Sequence, residues 1–421
     1  MTTLLLLLVL ALMLLGAPFF ALIAALVLVG FQQADYGFEG VINEFARIGS
    51  MHELLPIPLF TIAGFLLSES RAPARLVRVT EAIVGGRRGG LAIVALITCA
   101  LFTALTGASG VTIVALGAVL LPAMRGARYD DRFSLGLLTT SGSLGLLFAP
   151  SIPLIVYALV AQQLVPIQVE ELFLAGLLPG FLMLLVLGGY SWWKAPARGH
   201  ALPPGELWAA VKDAGWELPL PIVVFGGIYF GWLAPSDAAP VTALYVLLIT
   251  VVIRREIKLK DLPRVLREAS VLVGAILTIL GMSLALTYYL IDADIPSRLF
   301  AFIEAHLSNK YLFLLGLNLF LMVFGMLLEG FPAIVILTPL VLPIAMGFGI
   351  DPVHFGIMFL ANLQIGLFLP PLGMNLYIAA ARFREPVAKL IRASLPFFLL
   401  LLACVLAITY IPWLSLALLK R

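Results

Sequence analysis

The chain has 421 residues, of which 62% are hydrophobic and 12% are charged, and its mean hydropathy is +1.10. This composition excludes a soluble globular domain and indicates that the lipid bilayer surrounds most of the chain. The net charge of +3 is small and spread over short loops, which gives no indication of nucleic-acid binding.

The long apolar runs predict an all-α polytopic membrane protein, because helices satisfy their own backbone hydrogen bonds in hydrocarbon. The first run, from Met1 to Val29, lacks the basic start and the cleavage site of a signal peptide, so we expect it to be retained. Gly16-Ala17-Pro18 interrupts this run and predicts either one kinked helix or two short ones. Cys99 and Cys404 fall in apolar runs and indicate packing residues rather than disulfides or metal ligands.

Basic residues cluster in alternate loops, and their distribution predicts the topology. Of the 26 Lys and Arg residues, 21 lie in five segments, at 71–88, 125–132, 194–212, 254–267 and 382–392. The other loops carry few basic residues and lie at 31–51, 162–171, 234–240, 291–310 and 346–354. By the positive-inside rule we expect the first set on the cytoplasmic side and the second set outside.

Two apolar segments each connect loops of the same predicted side. Residues 89–124 join two basic loops, and residues 311–345 join two loops poor in basic residues. Two complete helical crossings need about 40 residues and a turn, which is more than either segment offers. We therefore expect two re-entrant helical hairpins, the first entering from the cytoplasm and the second from outside, with their tips inside protein or a water-filled cavity.

An internal repeat relates the two segments. An offset of 221 residues aligns 107–158 with 328–379 without a gap and gives 11 identities in 52 positions. The informative identities are Pro122 with Pro343, Gly126 with Gly347, Asp130 with Asp351, Gly145 with Gly366, Leu146 with Leu367 and Pro150 with Pro371. Because only one copy has basic flanks, we expect the copies to be inverted, as in many secondary transporters.

Each predicted hairpin carries helix-breaking residues at its middle. The first tip reads Gly107-Ala108-Ser109-Gly110-Val111-Thr112, and the second reads Leu328-Glu329-Gly330-Phe331-Pro332. Such breaks leave backbone and hydroxyl groups free to bind a solute, although small residues at the first tip are also typical of close helix packing. Glu329 is open to three interpretations: a structural acid, a proton site, or a residue that reaches water.

A second pair of breaks follows the hairpins. Gly145 to Pro153 interrupts the apolar span at 133–160, and Gly366 to Asn375 interrupts the span at 353–380. Unwound carbonyls at such breaks bind Na⁺ and half-helix N-termini face anionic groups, whereas a single proline indicates only a kink. The polar residues of these spans are Thr139, Thr140, Ser141, Ser143, Asn362, Gln364 and Asn375. Asn375, next to its break, is the stronger candidate for substrate contact.

Short motifs in the sequence are also typical of two other functions, those of an intramembrane protease and of a channel. Gly107-Ala108-Ser109-Gly110 matches the short string around the nucleophile of rhomboid-type intramembrane serine proteases, but that serine needs a nearby base. The four histidines, His52, His200, His306 and His354, are all expected in loops or at helix ends, so we do not expect an enzyme. An ion or solute channel also uses broken helices, but paired hairpins in an inverted repeat favour alternating access.

The hairpin and break motifs resemble those of a known family. Gly107 to Gly110, Gly145 to Pro153, Gly330-Phe331-Pro332-Ala333-Ile334, Thr338-Pro339, Asp351 to Gly356 and Gly366 to Asn375 carry the resemblance. They resemble the large membrane subunit of tripartite ATP-independent periplasmic (TRAP) transporters, which belong to the ion-transporter superfamily, and the likeness covers nearly the whole chain. The resemblance implies a multi-pass protein of the bacterial inner membrane that performs Na⁺-coupled symport by an elevator mechanism.

The resemblance also implies partners and sites. The partners are a small four-helix membrane subunit, expected as a separate polypeptide, and a periplasmic binding protein that delivers an organic acid such as a C4-dicarboxylate, sialic acid or a keto acid. The implied Na⁺ ligands, for about two or more ions, are Gly107, Ser109, Gly145, Pro150, Gly330, Gly366, Pro371 and Gly373. The implied substrate residues are Ser109, Thr112, Ser151 and Asn375. Ala149-Pro150 departs from the Pro-Pro that the family often has there.

The repeat and the resemblance together predict the domain organisation. Residues 89–160 and 311–380 are expected to form the two halves of a mobile transport domain. The scaffold is expected to comprise residues 1–88, residues 161–310 with the connecting arms, and the C-terminal helix in residues 381–421.

Overall fold

The computed structural model describes residues 19–33, 39–51, 54–85, 88–196, 205–306, 309–328 and 330–419. Throughout these ranges the regular structure is helical, which agrees with the all-α prediction. The interpretations of Gly16-Ala17-Pro18, His52, His200 and Glu329 lie outside the described residues.

The helices are numbered in chain order. The first group consists of α1 (Phe19–Gln33), α2 (Glu39–Arg47), α3 (Pro56–Glu69) and α4 (Ala72–Thr80). The first repeat contains α5 (Gly90–Thr106), α6 (Ser109–Gly126), α7 (Asp131–Ser141) and α8 (Ile152–Ala161), with a 3-10 turn at Leu144–Leu147. The middle group consists of α9 (Val169–Lys194), α10 (Glu206–Asp213), α11 (Pro219–Tyr229), α12 (Pro235–Leu247), α13 (Leu262–Asp292) and α14 (Ile295–His306). The second repeat contains α15 (Lys310–Leu327), α16 (Gly330–Gly347), α17 (Pro352–Gly366) and α18 (Met374–Phe383). The chain then continues through α19 (Val387–Tyr410) and α20 (Trp413–Leu416).

Among the described residues, seven helices are long and apolar enough to cross a membrane, or eight spans if the bent pair α7 and α8 counts as one. The helices of that pair meet at 44° across a short break. Such a bend fits either a broken membrane-spanning helix or a re-entrant loop. The chain is therefore a polytopic helical membrane protein, as its composition predicts.

Helix boundaries repeat at the offset found in the sequence. Helices α6 and α16 have the same length and begin 221 residues apart. Helices α7 and α17 differ in length, but their first residues are also 221 residues apart. Asp130 and Asp351 explain this agreement locally, because each side chain accepts backbone N–H bonds at the N-terminus of its helix, from Phe133 and Val353 respectively. Each break also contains one cis X-Pro bond, at Ala149-Pro150 and at Pro370-Pro371.

The two repeats interlock around their breaks. Helix α6 packs against α18, and α16 packs against α8, so the second arm of each helix pair contacts the broken span of the other repeat. On the outside of this unit, α1 and α3 pack against α13. Helices α9 and α19 lie against the repeats themselves, with α19 on α7 and α9 on α5.

A buried ion cluster holds α4 in place. Arg75 is 7% exposed and lies 2.6 Å from Glu217 and 2.5 Å from Glu256. Burial lowers the pKa of Arg75, but its hydrogen bonds to the two glutamates outweigh that effect and raise it overall. The pKa of Glu256 is lowered: desolvation opposes the shift, and hydrogen bonds from Arg75 and from the Arg71 amide prevail. The cluster therefore holds α4, the last helix before the first repeat, against the loops that follow α10 and α12.

Candidate functional site

A cavity of about 750 Å³ lies where the two repeats meet the outer helices. The first tip forms one wall through Gly107 to Val111, and the start of α16 contributes Gly330 and Phe331. The breaks contribute Leu146, Pro153, Leu367 and Met374. The remaining walls come from α3, α13 and α18, through Phe65, Ser68, Glu69, Glu268, Leu272, Ile378 and Arg382. Both predicted tips and both predicted breaks therefore border the same space.

Two of the predicted substrate residues meet beside this cavity. The Ser109 hydroxyl donates to Asn375 Oδ1 at 2.8 Å, and both side chains are buried. The backbone N–H of Asn375 donates to the Leu367 carbonyl at 2.9 Å, which fixes the start of α18. Asn375 Nδ2 has no hydrogen-bond partner among the described residues. An unsatisfied buried donor costs about 1–3 kcal/mol, so this amide is suited to an acceptor from a bound solute.

The other two predicted substrate residues have different surroundings. Thr112 is fully buried, and its hydroxyl lies 2.7 Å from the Thr103 hydroxyl rather than on the cavity wall. Ser151 caps the N-terminus of α8 and donates to the Leu146 carbonyl at 2.6 Å. These two residues hold the first break and the first tip in shape, and the structure does not bring them to Asn375.

An oxygen-rich cluster lies between the first tip and the first break. The Thr103 hydroxyl is 2.7 Å from Thr112 Oγ1 and 2.8 Å from the Gly142 carbonyl. The Ser109 carbonyl faces the same turn, because a Cβ built on Gly142 would lie 3.1 Å from it. Neutral oxygens of this kind are the ligands that bind Na⁺ at broken membrane helices. Thr103 and Gly142 were not among the candidates from the sequence. The contact of Thr103 with Thr112 joins α5 to α6, and this pairing becomes visible only in the folded chain.

Three of the four predicted Na⁺ residues of the first repeat, Gly107, Ser109 and Gly145, lie next to this cluster. Gly107 ends α5 with a φ of +66°, and a Cβ there would lie 2.7 Å from Ile152. A Cβ on Gly145 would lie 2.2 Å from the Ala100 carbonyl, so Gly145 allows the break to touch the α5 backbone. Pro150 follows in its cis bond. The first tip and the first break are thus in contact at Gly107 and Ile152.

The second set is arranged similarly but is more open. A Cβ on Gly366 would lie 2.7 Å from the Gly325 backbone carbon, which repeats the contact of Gly145 with α5. Gly330 begins α16 with open space around it, and a Cβ on Gly373 would lie 2.7 Å from the Leu367 carbonyl. The Pro371 carbonyl already accepts a hydrogen bond from Tyr377 at 2.8 Å.

A smaller cavity of about 310 Å³ borders the second tip. Leu328, Leu372 and Tyr377 line it, and Met374 lines both this cavity and the larger one. Met374 at the start of α18 therefore borders both cavities.

The electrostatics of the larger cavity were not predicted from the sequence. Arg382 was assigned only to a basic loop, yet it lines the cavity from the last turn of α18. On the part of the wall that α3 and α13 form, Glu69 and Glu268 are both bonded by Arg264, at 2.7 Å and 3.1 Å. Within the residues that the structure describes, no group of three or more His, Cys, Asp or Glu side chains could hold a metal ion. Near the first tip, the oxygens that the structure brings together are the neutral ones of Thr103, Thr112 and the Gly142 carbonyl.

Helix pairs, paired breaks and a cavity between them define a membrane transporter fold. A solved structure shares it: the YdaH transporter of Alcanivorax borkumensis aligns with a TM-score of 0.61 over 90% of this chain and 88% of that one, at 14% identity. The family model described as "Tripartite ATP-independent periplasmic transporter, DctM component" matches residues 5–414. The chain belongs to this family of TRAP transporter large permeases.

Several relatives support the assignment. The C4-dicarboxylate TRAP transporter large permease of Rhodobacter capsulatus is 35% identical over 87% of this chain and 86% of its own length. The ectoine TRAP transporter large permease of Halomonas elongata is 30% identical over 97% of each chain. The isethionate TRAP transporter permease DctMQ of Oleidesulfovibrio alaskensis is 32% identical over 93% of this chain and 61% of its own length.

Family membership confirms four of the expectations. The protein is a transporter permease and not an enzyme, it is a multi-pass protein of the bacterial inner membrane, and it resembles the family named from its motifs. A tripartite system also includes a small membrane subunit and a periplasmic binding protein as partners.

Proposed function

We propose that this permease takes up a small organic acid together with Na⁺, with the solute bound between the two repeats. The single observation that carries this proposal is the Ser109–Asn375 hydrogen bond, which joins the first tip to the second broken span beside the cavity. A solute at this point touches both repeats, so its binding depends on how they are arranged. That dependence is what alternating access requires.

Na⁺ would bind where each tip meets its own break. The cluster of Thr103, Thr112 and the Gly142 carbonyl supports the first site, and the close contact of Gly366 with α15 supports the second. An ion at the first site would hold Ser109 against the break and so orient its hydroxyl toward Asn375. Ion binding would thereby prepare the substrate site, which couples the two solutes.

The substrate is proposed to be an organic anion. The relatives named above carry the names of a C4-dicarboxylate, an isethionate and an ectoine transporter, and sialic acid and keto acids are further substrates implied by the motif resemblance. The unpartnered Asn375 amide and the arginine on the cavity wall favour carboxylate or sulfonate oxygens. A periplasmic binding protein would deliver this anion from outside.

The transport movement is proposed to be an elevator. Re-entrant pairs α5–α6 and α15–α16 and the two broken spans would move as a unit against α1 to α4 and α10 to α14. The packing of α19 on α7 and of α9 on α5 favours including these two helices in the moving unit. The moving unit would then take α9 from the predicted scaffold segment 161–310 and α19 from the predicted scaffold segment 381–421.

The cavity favours an inward-facing arrangement. It is bordered by Glu69 and Glu268, which lie near the basic loops at 71–88 and 254–267. Those loops are predicted to be cytoplasmic by their charge.

Uptake into proteoliposomes tests the proposal. The permease with its small subunit would be reconstituted, and labelled succinate, isethionate and ectoine would be offered with the periplasmic binding protein. Uptake of at least one solute should require both an inward Na⁺ gradient and the binding protein. Flux that needs neither would support a channel and overturn the proposal.

A further inference from the structure

Helix α18 lines the cavity with Met374, Ile378 and Arg382, which follow one another at intervals of four residues. Asn375, next to Met374, is buried beside Ser109 at the same end of the helix. A Cβ built on Gly110 would lie 2.6 Å from Ile378 Cδ1, so Ile378 touches the first tip. Asn375 and Arg382 are seven residues apart, which is about 10 Å of helix rise on nearly the same face.

Arg382 is the one basic residue among those that line the cavity in the described part of the chain. Its side chain is exposed, and no salt bridge of the described residues includes it. The neighbouring Arg384 lies beyond the end of α18 with a φ of +56° and does not line the cavity. The two arginines therefore differ in surroundings although they belong to the same basic segment.

The part of the wall that α3 and α13 form carries the reverse charge. Glu69 of α3 and Glu268 of α13 share the single cation of Arg264, which leaves that group with a net negative charge. Both glutamates line the cavity. An anion in the cavity is therefore repelled from the wall of α3 and α13 and attracted to the wall of α18.

We propose that Arg382 is a second anion-binding position, which receives a carboxylate or sulfonate group of the solute after it leaves Ser109 and Asn375 on its way to the cytoplasm. This proposal rests on the proposed function for the identity of the solute class. A solute with two carboxylates spans part of the distance of about 10 Å between Asn375 and Arg382, and the long arginine side chain spans the rest. One carboxylate can therefore reach Arg382 while the other remains near Asn375. Arg382 thus makes the cavity selective for anions and for dianions above monoanions.

A thiol-protection experiment tests this position without requiring transport. Val114→Cys places a thiol on the cavity wall, at a residue that is 44% exposed, whereas native Cys99 and Cys404 are buried. The complex with its small subunit, in nanodiscs and at constant NaCl, would be labelled with an anionic and with a cationic methanethiosulfonate reagent. Succinate, pyruvate and isethionate would then be tested for protection, with neutral succinamide as the control.

Three variants in this background separate the alternatives. Arg382→Gln should raise the half-protecting concentration of succinate about tenfold and lower the ratio of anionic to cationic labelling rates several-fold. Arg382→Lys should keep most of the protection, and Arg384→Gln, which removes an equal charge outside the cavity, should match the parent. Thermal melting of each variant checks that it is folded.

The outcomes distinguish this proposal from the proposed function. Equal protection by succinate in the parent and in Arg382→Gln would overturn the role of Arg382, and so would a parent that none of the three anions protects. Protection that depends on Arg382 in a complex that shows no Na⁺-driven uptake would support the anion position while contradicting the proposed coupling.

Discussion

At the residue scale, the site depends on a few hydrogen bonds between chain segments far apart in sequence. Ser109 and Asn375 are separated by 266 residues and share one bond of 2.8 Å. Both were candidates from the sequence because each is polar and lies at a break in an apolar run. Their contact could not be predicted, since an offset in sequence does not fix which residues of two repeats face each other. Arg382 was missed because its position among loop arginines concealed its place on the cavity-facing side of α18.

The Ser109 hydroxyl provides the first prediction. Ser109→Ala removes the donor to Asn375 Oδ1, so the tip loses its fixed position between the proposed ion and substrate sites. The Na⁺ concentration for half-maximal uptake should rise about tenfold, as expected for loss of a buried hydrogen bond with its partner left unsatisfied. Uptake at varied Na⁺ measures this shift.

Ser394→Ala is the matched control, because that hydroxyl is also buried but has no hydrogen-bond partner among the described residues. An unchanged Na⁺ response in Ser109→Ala would remove Ser109 from the coupling mechanism.

At the element scale, the sequence predicted the helix pairs well. The expected hairpin segments, 89–124 and 311–345, end within two residues of the outer limits of α5 with α6 and α15 with α16. The charge of the flanking loops and the Gly and Pro residues near the tips were the useful signals, although Pro122 and Pro343 lie inside continuous helices and do not interrupt them. The packing of α9 and α19 on the repeats was not predictable, since an apolar helix shows in its sequence that it is buried but not against which neighbour.

Two glycines provide the prediction at this scale. Gly145 and Gly366 each leave no room for a Cβ, which would lie 2.2 Å from the Ala100 carbonyl and 2.7 Å from the Gly325 carbonyl carbon. Replacement of either by Ala should force the break away from its helix, at a cost of about 1–3 kcal/mol. The melting temperature should fall and Na⁺-driven uptake should be largely lost.

Gly188→Ala in α9 is the matched control, because no atom outside its own helix lies within 4 Å of a Cβ there. If Gly145→Ala melts and transports like Gly188→Ala, the break does not depend on close contact with α5.

At the scale of the whole molecule, an ion cluster joins α4, the last helix before the first repeat, to α10 and to the loops that follow α10 and α12. Arg75 bonds both Glu217 and Glu256, and Arg78 bonds Glu206 at 2.7 Å. Loss of one member of a buried cluster leaves the others uncompensated. The connection at α4 is thus expected to remain fixed while the repeats move.

The lowered pKa of Glu256 predicts how stability depends on pH. In the folded protein the pKa of Glu256 lies below its ordinary value of 4.5. The ionised carboxylate therefore adds to the free energy of unfolding above pH 4.5, and this stabilisation is lost as the pH falls through the lowered pKa. The melting temperature should therefore decline below about pH 4.5, and the decline should be smaller in Glu256→Gln. Lys260→Gln, at an exposed position, is the control; equal declines in all three proteins would exclude Glu256 as a source.

The central claim is that the interlocked repeats move as one unit against α3 and α13. A flexible cross-linker between Ser68→Cys and Val114→Cys would connect α3 to α6 across the cavity that both residues line. A cross-link between Asp131→Cys and Lys389→Cys, whose native side chains form an ion pair of 2.7 Å, would stay within the unit. We predict that the first cross-link stops Na⁺-driven uptake until it is cleaved and that the second leaves uptake intact. Full uptake with the first cross-link in place would contradict the account and indicate a pathway that does not require the repeats to move.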